Sequence, residues 1–72
     1  MLILTQDNSA IYDFDTSLGI FANEEDKSVY LLAYGNQTAY KIGEYTTFER
    51  AKEVVADIFM KYDYEDKYEM PW

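Results

Sequence analysis

Only one stretch of this chain is patterned for a helix, and what precedes it is patterned for strands. From Phe48 the apolar residues fall at Phe48, Ala51, Val55, Ile58 and Tyr62, with Val54 and Phe59 beside them. Steps of three and four put these side chains on one side of a helix. Thr46 with Glu49 three residues on matches a capping box, in which each side chain satisfies a backbone amide left open at a helix start. The spacing predicts a helix that begins after Thr46 and ends near Tyr62, in Asp63-Tyr64-Glu65-Asp66.

Five strand candidates come before it. Met1 to Thr5 is a short apolar run, and Gln6-Asp7-Asn8-Ser9 is turn chemistry, since Asp and Asn bond their own backbone and tolerate left-handed conformations. Ala10–Phe14 follows, with Ala10, Tyr12 and Phe14 on one face and Ile11 and Asp13 on the other. Gly19–Asn23 is a third strand, closed by the acidic turn Asn23-Glu24-Glu25-Asp26-Lys27. Ser28 to Tyr34 is the strongest: Val29, Leu31 and Ala33 face one way, Tyr30, Leu32 and Tyr34 the other. Gly35-Asn36 offers a two-residue turn into Thr38–Tyr45, and Lys67–Met70 suits a short final edge strand before Pro71. The expected fold is α+β: an antiparallel meander of about five strands, then one amphipathic helix packed on a sheet face, in a single domain over residues 1–72.

A strand apolar on both faces is usually covered on both. One helix covers only one face of so small a sheet. The second face, Tyr30, Leu32 and Tyr34, expected to be joined across the hairpin by Tyr40 and Ile42, therefore needs the curled N-terminal strands or a second subunit. It is a candidate self-association surface, and a homodimer is expected. Oligomerisation is also a common remedy for the thin stability of a domain this size.

Composition excludes several kinds of chemistry. Without Cys there is no disulfide framework, thiol nucleophile or thiolate metal site, and without His no imidazole ligand and no near-neutral base of the usual kind. Asp13 with Asp15, and Glu24-Glu25-Asp26, lack the Gly and distal Glu of a calcium loop, and no nucleophile–base pair can be assembled. The expectation is a protein that is not an enzyme and needs no cofactor. Apolar runs of four or five residues fall far short of the roughly 20 that span a bilayer. The N-terminal residues also lack the basic region of a signal peptide, so a cytoplasmic location is expected. With 6 basic against 14 acidic residues the net charge is −8. Residues 1–26 hold six acids and no cation. Such a chain is repelled by nucleic acid and anionic membranes, and suits basic protein surfaces or neutral ligands.

Glu49, Glu53 and Asp57 stand four residues apart, roughly 6 Å at each step along one helix ridge. That is close to the roughly 6–7 Å between phosphates along a nucleic-acid strand, so the ridge can mimic a nucleic acid in the basic groove of an enzyme. The plainer reading is a solvated face, with Glu49 serving the cap and Asp57 paired to Lys61. Met60 falls on the same outer side, as a contact anchor or a cover for a neighbouring side chain.

Three segments carry a resemblance: Met1-Leu2-Ile3-Leu4-Thr5-Gln6-Asp7, Gly43-Glu44-Tyr45 with Glu49-Arg50-Ala51-Lys52-Glu53-Val54, and Tyr68-Glu69-Met70-Pro71. In these the chain resembles a group of short uncharacterised proteins of Gram-positive bacteria and their phages and prophages. The resemblance covers both ends and the helix; Asp15–Gln37 is similar only in residue type. It implies a cytoplasmic, often prophage-borne protein, and it brings no catalytic or binding residues with it. Two functions are consistent with these features. One is an acidic phage-type protein that binds and inhibits a host protein with a basic surface, such as a defence or nucleic-acid enzyme. The other is an oligomer that binds or sequesters a small ligand such as a nucleotide. A structural or assembly accessory shares the features of the first.

Overall fold

A computed structural model describes residues 1–35 and 37–72. The elements are β1 (Leu2–Leu4), β2 (Ile11–Asp13), a 3-10 turn (Phe14–Thr16), β3 (Ser17–Asn23), β4 (Ser28–Ala33), β5 (Ala39–Glu44), α1 (Phe48–Lys61) and β6 (Lys67–Glu69). The class is α+β with one helix, as the patterning implied. The strands divide between two three-stranded sheets, in the orders β2-β1-β6 and β3-β4-β5. β3, β4 and β5 form the antiparallel meander and β1 with β2 an antiparallel hairpin, while β6 lies parallel to β1 as an edge strand.

The division has a local cause. The Asp13 carboxylate accepts from the Asp15 amide (3.0 Å), and the Thr16 and Ser17 hydroxyls donate to the carbonyls of Asp13 (3.1 Å) and Phe14 (2.8 Å). These bonds hold Phe14–Thr16 in a tight turn, so β2 and β3 do not continue as one ladder. The turn between β1 and β2 is fixed in the same way. Asp7 accepts from the Ser9 amide (3.0 Å) and from the hydroxyls of Ser9 (2.7 Å) and Thr5 (2.8 Å), and Asn8 adopts φ +63°. Asn36, half of the expected Gly35-Asn36 turn, lies outside the described residues.

The core gathers Ile3, Val29, Leu31, Ile42, Tyr45, Ala51, Val54, Ile58, Tyr68 and Met70, and β2 and β3 add half-buried Tyr12, Ile20 and Ala22 at its edge. α1 packs on β3 and β4, and the sheet β2-β1-β6 closes over β5. Gln6 ties this closure together. Its backbone amide donates to the Ile42 carbonyl (2.9 Å), its side-chain oxygen accepts from the Glu44 amide (2.8 Å), and its side-chain nitrogen donates to the Pro71 carbonyl (3.1 Å).

Two local expectations are corrected. The register shifts between Val29 and Tyr30, which face Gly43 and Lys41, so Ile42 is the extra residue of a bulge. Ile42, on the same side of β5 as Tyr40, is buried in the core. Tyr40, opposite Leu31, stacks on Tyr12 with ring centres 5.3 Å apart instead of joining Tyr30 and Leu32 on the outer face. The helix cap is Thr47, not Thr46: the Thr47 hydroxyl accepts from the Arg50 amide at 3.1 Å. Glu49 then sits in the first turn, where the helix dipole favours an acid. Thr47→Ala is expected to cost about 1 kcal/mol in urea unfolding and Thr46→Ala only a few tenths; the reverse order would return the cap to Thr46.

Candidate interaction surface

The acidic ridge is present but unequal along its length. Glu49 and Glu53 are exposed, and Glu53 meets Arg50 at 3.5 Å, one turn back. Asp57 is half-buried, accepts a 2.6 Å hydrogen bond from the Tyr68 hydroxyl, and lies 3.3 Å from Lys61. The Tyr68 bond, more than Lys61, holds the Asp57 carboxyl below its ordinary pKa, against the opposing effect of burial. Burial and then the Asp57 neighbour push the Tyr68 hydroxyl well above the usual tyrosine range. Asp57 is thus committed to fastening α1 to β6, and Glu49 and Glu53 are the outward part of the ridge. Arg50 is also occupied, donating to the Trp72 carbonyl (2.8 Å) and lying over the Tyr45 ring.

Met60 belongs to a different surface. α1 buries Ala51, Val54 and Ile58, so its buried line is centred to one side of the apolar stripe. Val55 is left half-buried, and Phe59 (79% exposed), Met60 (65%) and Tyr62 stand out into solvent. With Phe14 of the 3-10 turn, Ile20 of β3 and Tyr64 (82% exposed), they line an open groove of about 550 Å³. Phe14 meets Tyr62 edge-on, ring centres 5.5 Å apart, which sets the groove floor at the helix end. The groove's carboxylates are Asp15 and Asp63, and among the described residues no Lys or Arg lines it. Asp15 accepts from the Tyr62 hydroxyl and from the Met1 ammonium (2.9 Å), and these two bonds, Tyr62 first, lower its pKa.

The expected self-association set is only partly together. Tyr30 and Leu32 share the outer face of β4, where Tyr30 stacks on Phe21 at 5.5 Å and its hydroxyl donates to Asp26. Lys41 approaches Asp26 at 4.0 Å and Glu44 at 3.0 Å, closing that face with charge. Tyr34 is exposed just beyond β4, and Tyr40 faces inward. The aromatic groove was missed by the sequence reading. Its signal was the width of the apolar arc at Phe48, Val55, Phe59 and Tyr62, wider than one helix could bury.

No helix among the described residues is long and apolar enough to cross a membrane. Comparison with models of known families, with curated proteins and with solved structures finds no match.

The Asp57–Tyr68 bond makes a pH-dependent prediction. A carboxyl whose folded pKa lies below its unfolded value adds stability above about pH 4, and that stability is lost as pH falls through the folded value. Tyr68→Phe is expected to raise the Asp57 titration towards its ordinary range in carboxyl NMR. The variant should also lose about 1 kcal/mol at neutral pH, a discounted figure for a partly exposed pair. An Asp57 titration identical in both proteins would remove the assigned cause.

Proposed function

We propose that this chain is a small acidic interaction protein of phage or prophage type, acting in the host cytoplasm, that binds and inhibits a host protein with a basic surface. The observation that carries this reading is the negative surface itself. The net charge is −8, and three of the six basic side chains, Lys41, Arg50 and Lys61, are already paired with acids of the same chain. Glu49 and Glu53 project from a capped helix, and a cluster of exposed aromatic side chains supplies the apolar contact area that charge alone lacks. The small-ligand reading has a groove of suitable size. Its walls, however, carry carboxylates and no cation among the described residues, an environment that repels a nucleotide's phosphates. An assembly accessory would use the same surfaces and is told apart by the partner captured.

Self-association of two copies is part of the proposal, on a face other than the one expected from sequence. The outward side chains of β2-β1-β6 form two rows by register, Asp13–Leu2–Lys67 and Ile11–Leu4–Glu69, with Leu2 and Ile11 exposed. A second copy rotated about the direction of β1 sets Leu2 and Leu4 on their counterparts and Asp13 opposite Lys67 twice. Sedimentation equilibrium should then give twice the 8.5 kDa chain mass at micromolar concentration, and the single-chain mass for Lys67→Glu. A wild-type chain that sediments at the single mass removes the dimer.

The interaction reading is tested by capture of tagged protein from nuclease-treated host lysate at low and high salt, read by mass spectrometry. A basic host enzyme should be enriched and released by salt, and Glu49→Lys with Glu53→Lys should reduce its recovery by about tenfold. Asp57 is left intact because its loss would loosen β6. Recovery of the chain alone would overturn the interaction reading.

A further inference from the structure

The exposed end of α1 is not what solubility requires. A chain at −8 needs no apolar surface to stay in solution, yet Phe59, Met60, Tyr62 and Tyr64 are all exposed within six residues and border one groove. Single exposed apolar residues are ordinary, whereas a contiguous group of this size marks a contact surface.

Charge defines what fits. Asp63 lines the groove beside Asp15, whose charge is offset by the Met1 ammonium at 2.9 Å, and Glu65 and Asp66 follow in the chain. The C-terminal end of the 14-residue helix adds partial negative charge from its last carbonyls. Lys61, the cation of that last turn, is held elsewhere, 3.3 Å from Asp57 and over the Tyr68 ring. The field over the groove is therefore negative, and its floor is apolar.

Shape narrows the occupant further. The helix side of the groove runs from Val55 to Tyr62, about 10 Å or two turns at 1.5 Å per residue. Two turns of a second helix present apolar anchors at steps of three and four over the same length. Laid antiparallel to α1, such a helix brings its positive N-terminal end to the negative end of α1. Met60, unbranched and exposed, adapts to the anchor it meets.

We propose that the groove between the last two turns of α1 and the segment from Phe14 to Ile20 receives a cationic amphipathic helix of a partner protein. The inference rests on the interaction reading above and names the surface and the partner's chemistry. It does not use the Glu49–Glu53 ridge.

The probe is a fluorescein-labelled peptide of about 18 residues, Leu and Lys arranged at helical period, followed by anisotropy. The comparisons are a scrambled peptide of the same composition and the same pattern with Glu for Lys. Binding to the patterned Lys peptide should exceed binding to the scrambled one by about tenfold, with none to the Glu peptide. Phe59→Ser removes an exposed side chain outside the core, so the fold is retained and checked by circular dichroism. It should weaken binding by about tenfold, whereas Glu49→Lys with Glu53→Lys should change it by less than about threefold. Amide shifts in nitrogen-15 NMR should move at Phe14, Ile20, Val55 and Phe59. Equal binding of the scrambled peptide, or an unchanged affinity in Phe59→Ser, overturns the inference. So does a wild-type chain that binds no peptide, and in that case lysate capture still decides the interaction reading independently.

Discussion

Pairing of β1 with β6 is the contact on which the rest of the architecture depends. Neither three-residue strand would persist alone. β1 gains a partner on each side, so fully buried Ile3 lies in register between Tyr12 and Tyr68. Once β6 is seated, Met70 is buried against Gly43 and Tyr45, and the Pro71 carbonyl accepts from both Gln6 and the Tyr45 hydroxyl. The Tyr68 hydroxyl reaches Asp57 on the helix. Residues more than sixty positions apart must meet before any of this forms, and that loop closure is entropically costly. What offsets it is the burial of Ile3, Tyr68 and Met70 together.

Information carried within a few residues was legible in the sequence. The helix, the strands and the Asp7-Asn8 turn all lie close to where spacing and turn chemistry put them. What was not legible depends on distant partners. The separation into two sheets follows from side-chain bonds around Phe14–Thr16, and the parallel pairing of β6 from a strand at the other end of the chain. Thr46 and Thr47 are both good caps by residue type; the chain's path out of β5 selects Thr47. Tyr40 and Ile42 face the core because β5 pairs with β4 as Tyr30 to Lys41 and Leu31 to Tyr40, which puts both on the Leu31 side; the bulge then brings Gly43 to that side as well, opposite Val29. The same holds for the candidate surfaces. Glu49 and Glu53 were readable as exposed acids, but the fastening of Asp57 was not, since Tyr68 lies on another element.

The abundance of tyrosine also gains a physical reason. This chain has eight Tyr and only six basic residues to serve fourteen acids. Tyr30, Tyr62 and Tyr68 each donate a hydroxyl hydrogen bond to an aspartate: Asp26, Asp15 and Asp57. In each case that bond is the leading cause of the lowered carboxyl pKa. A neutral donor stabilises the carboxylate without cancelling its charge, and the ring packs as it does so. The fold thus keeps its acids ordered while remaining strongly negative.

Parallel alignment of β1 and β6 has a mechanical consequence. Met1 precedes β1 at one end of the ladder and Trp72 follows β6 at the other. Tension applied between these two residues slides the strands past each other along their length. The Leu2 amide to Asp66 carbonyl bond (2.8 Å) and the Met70 amide to Leu4 carbonyl bond (3.1 Å), at opposite ends of the pairing, are then loaded together. They do not open one after another like a zipper. A shear geometry of this kind lets a small domain resist stretching more strongly than its modest equilibrium stability would imply.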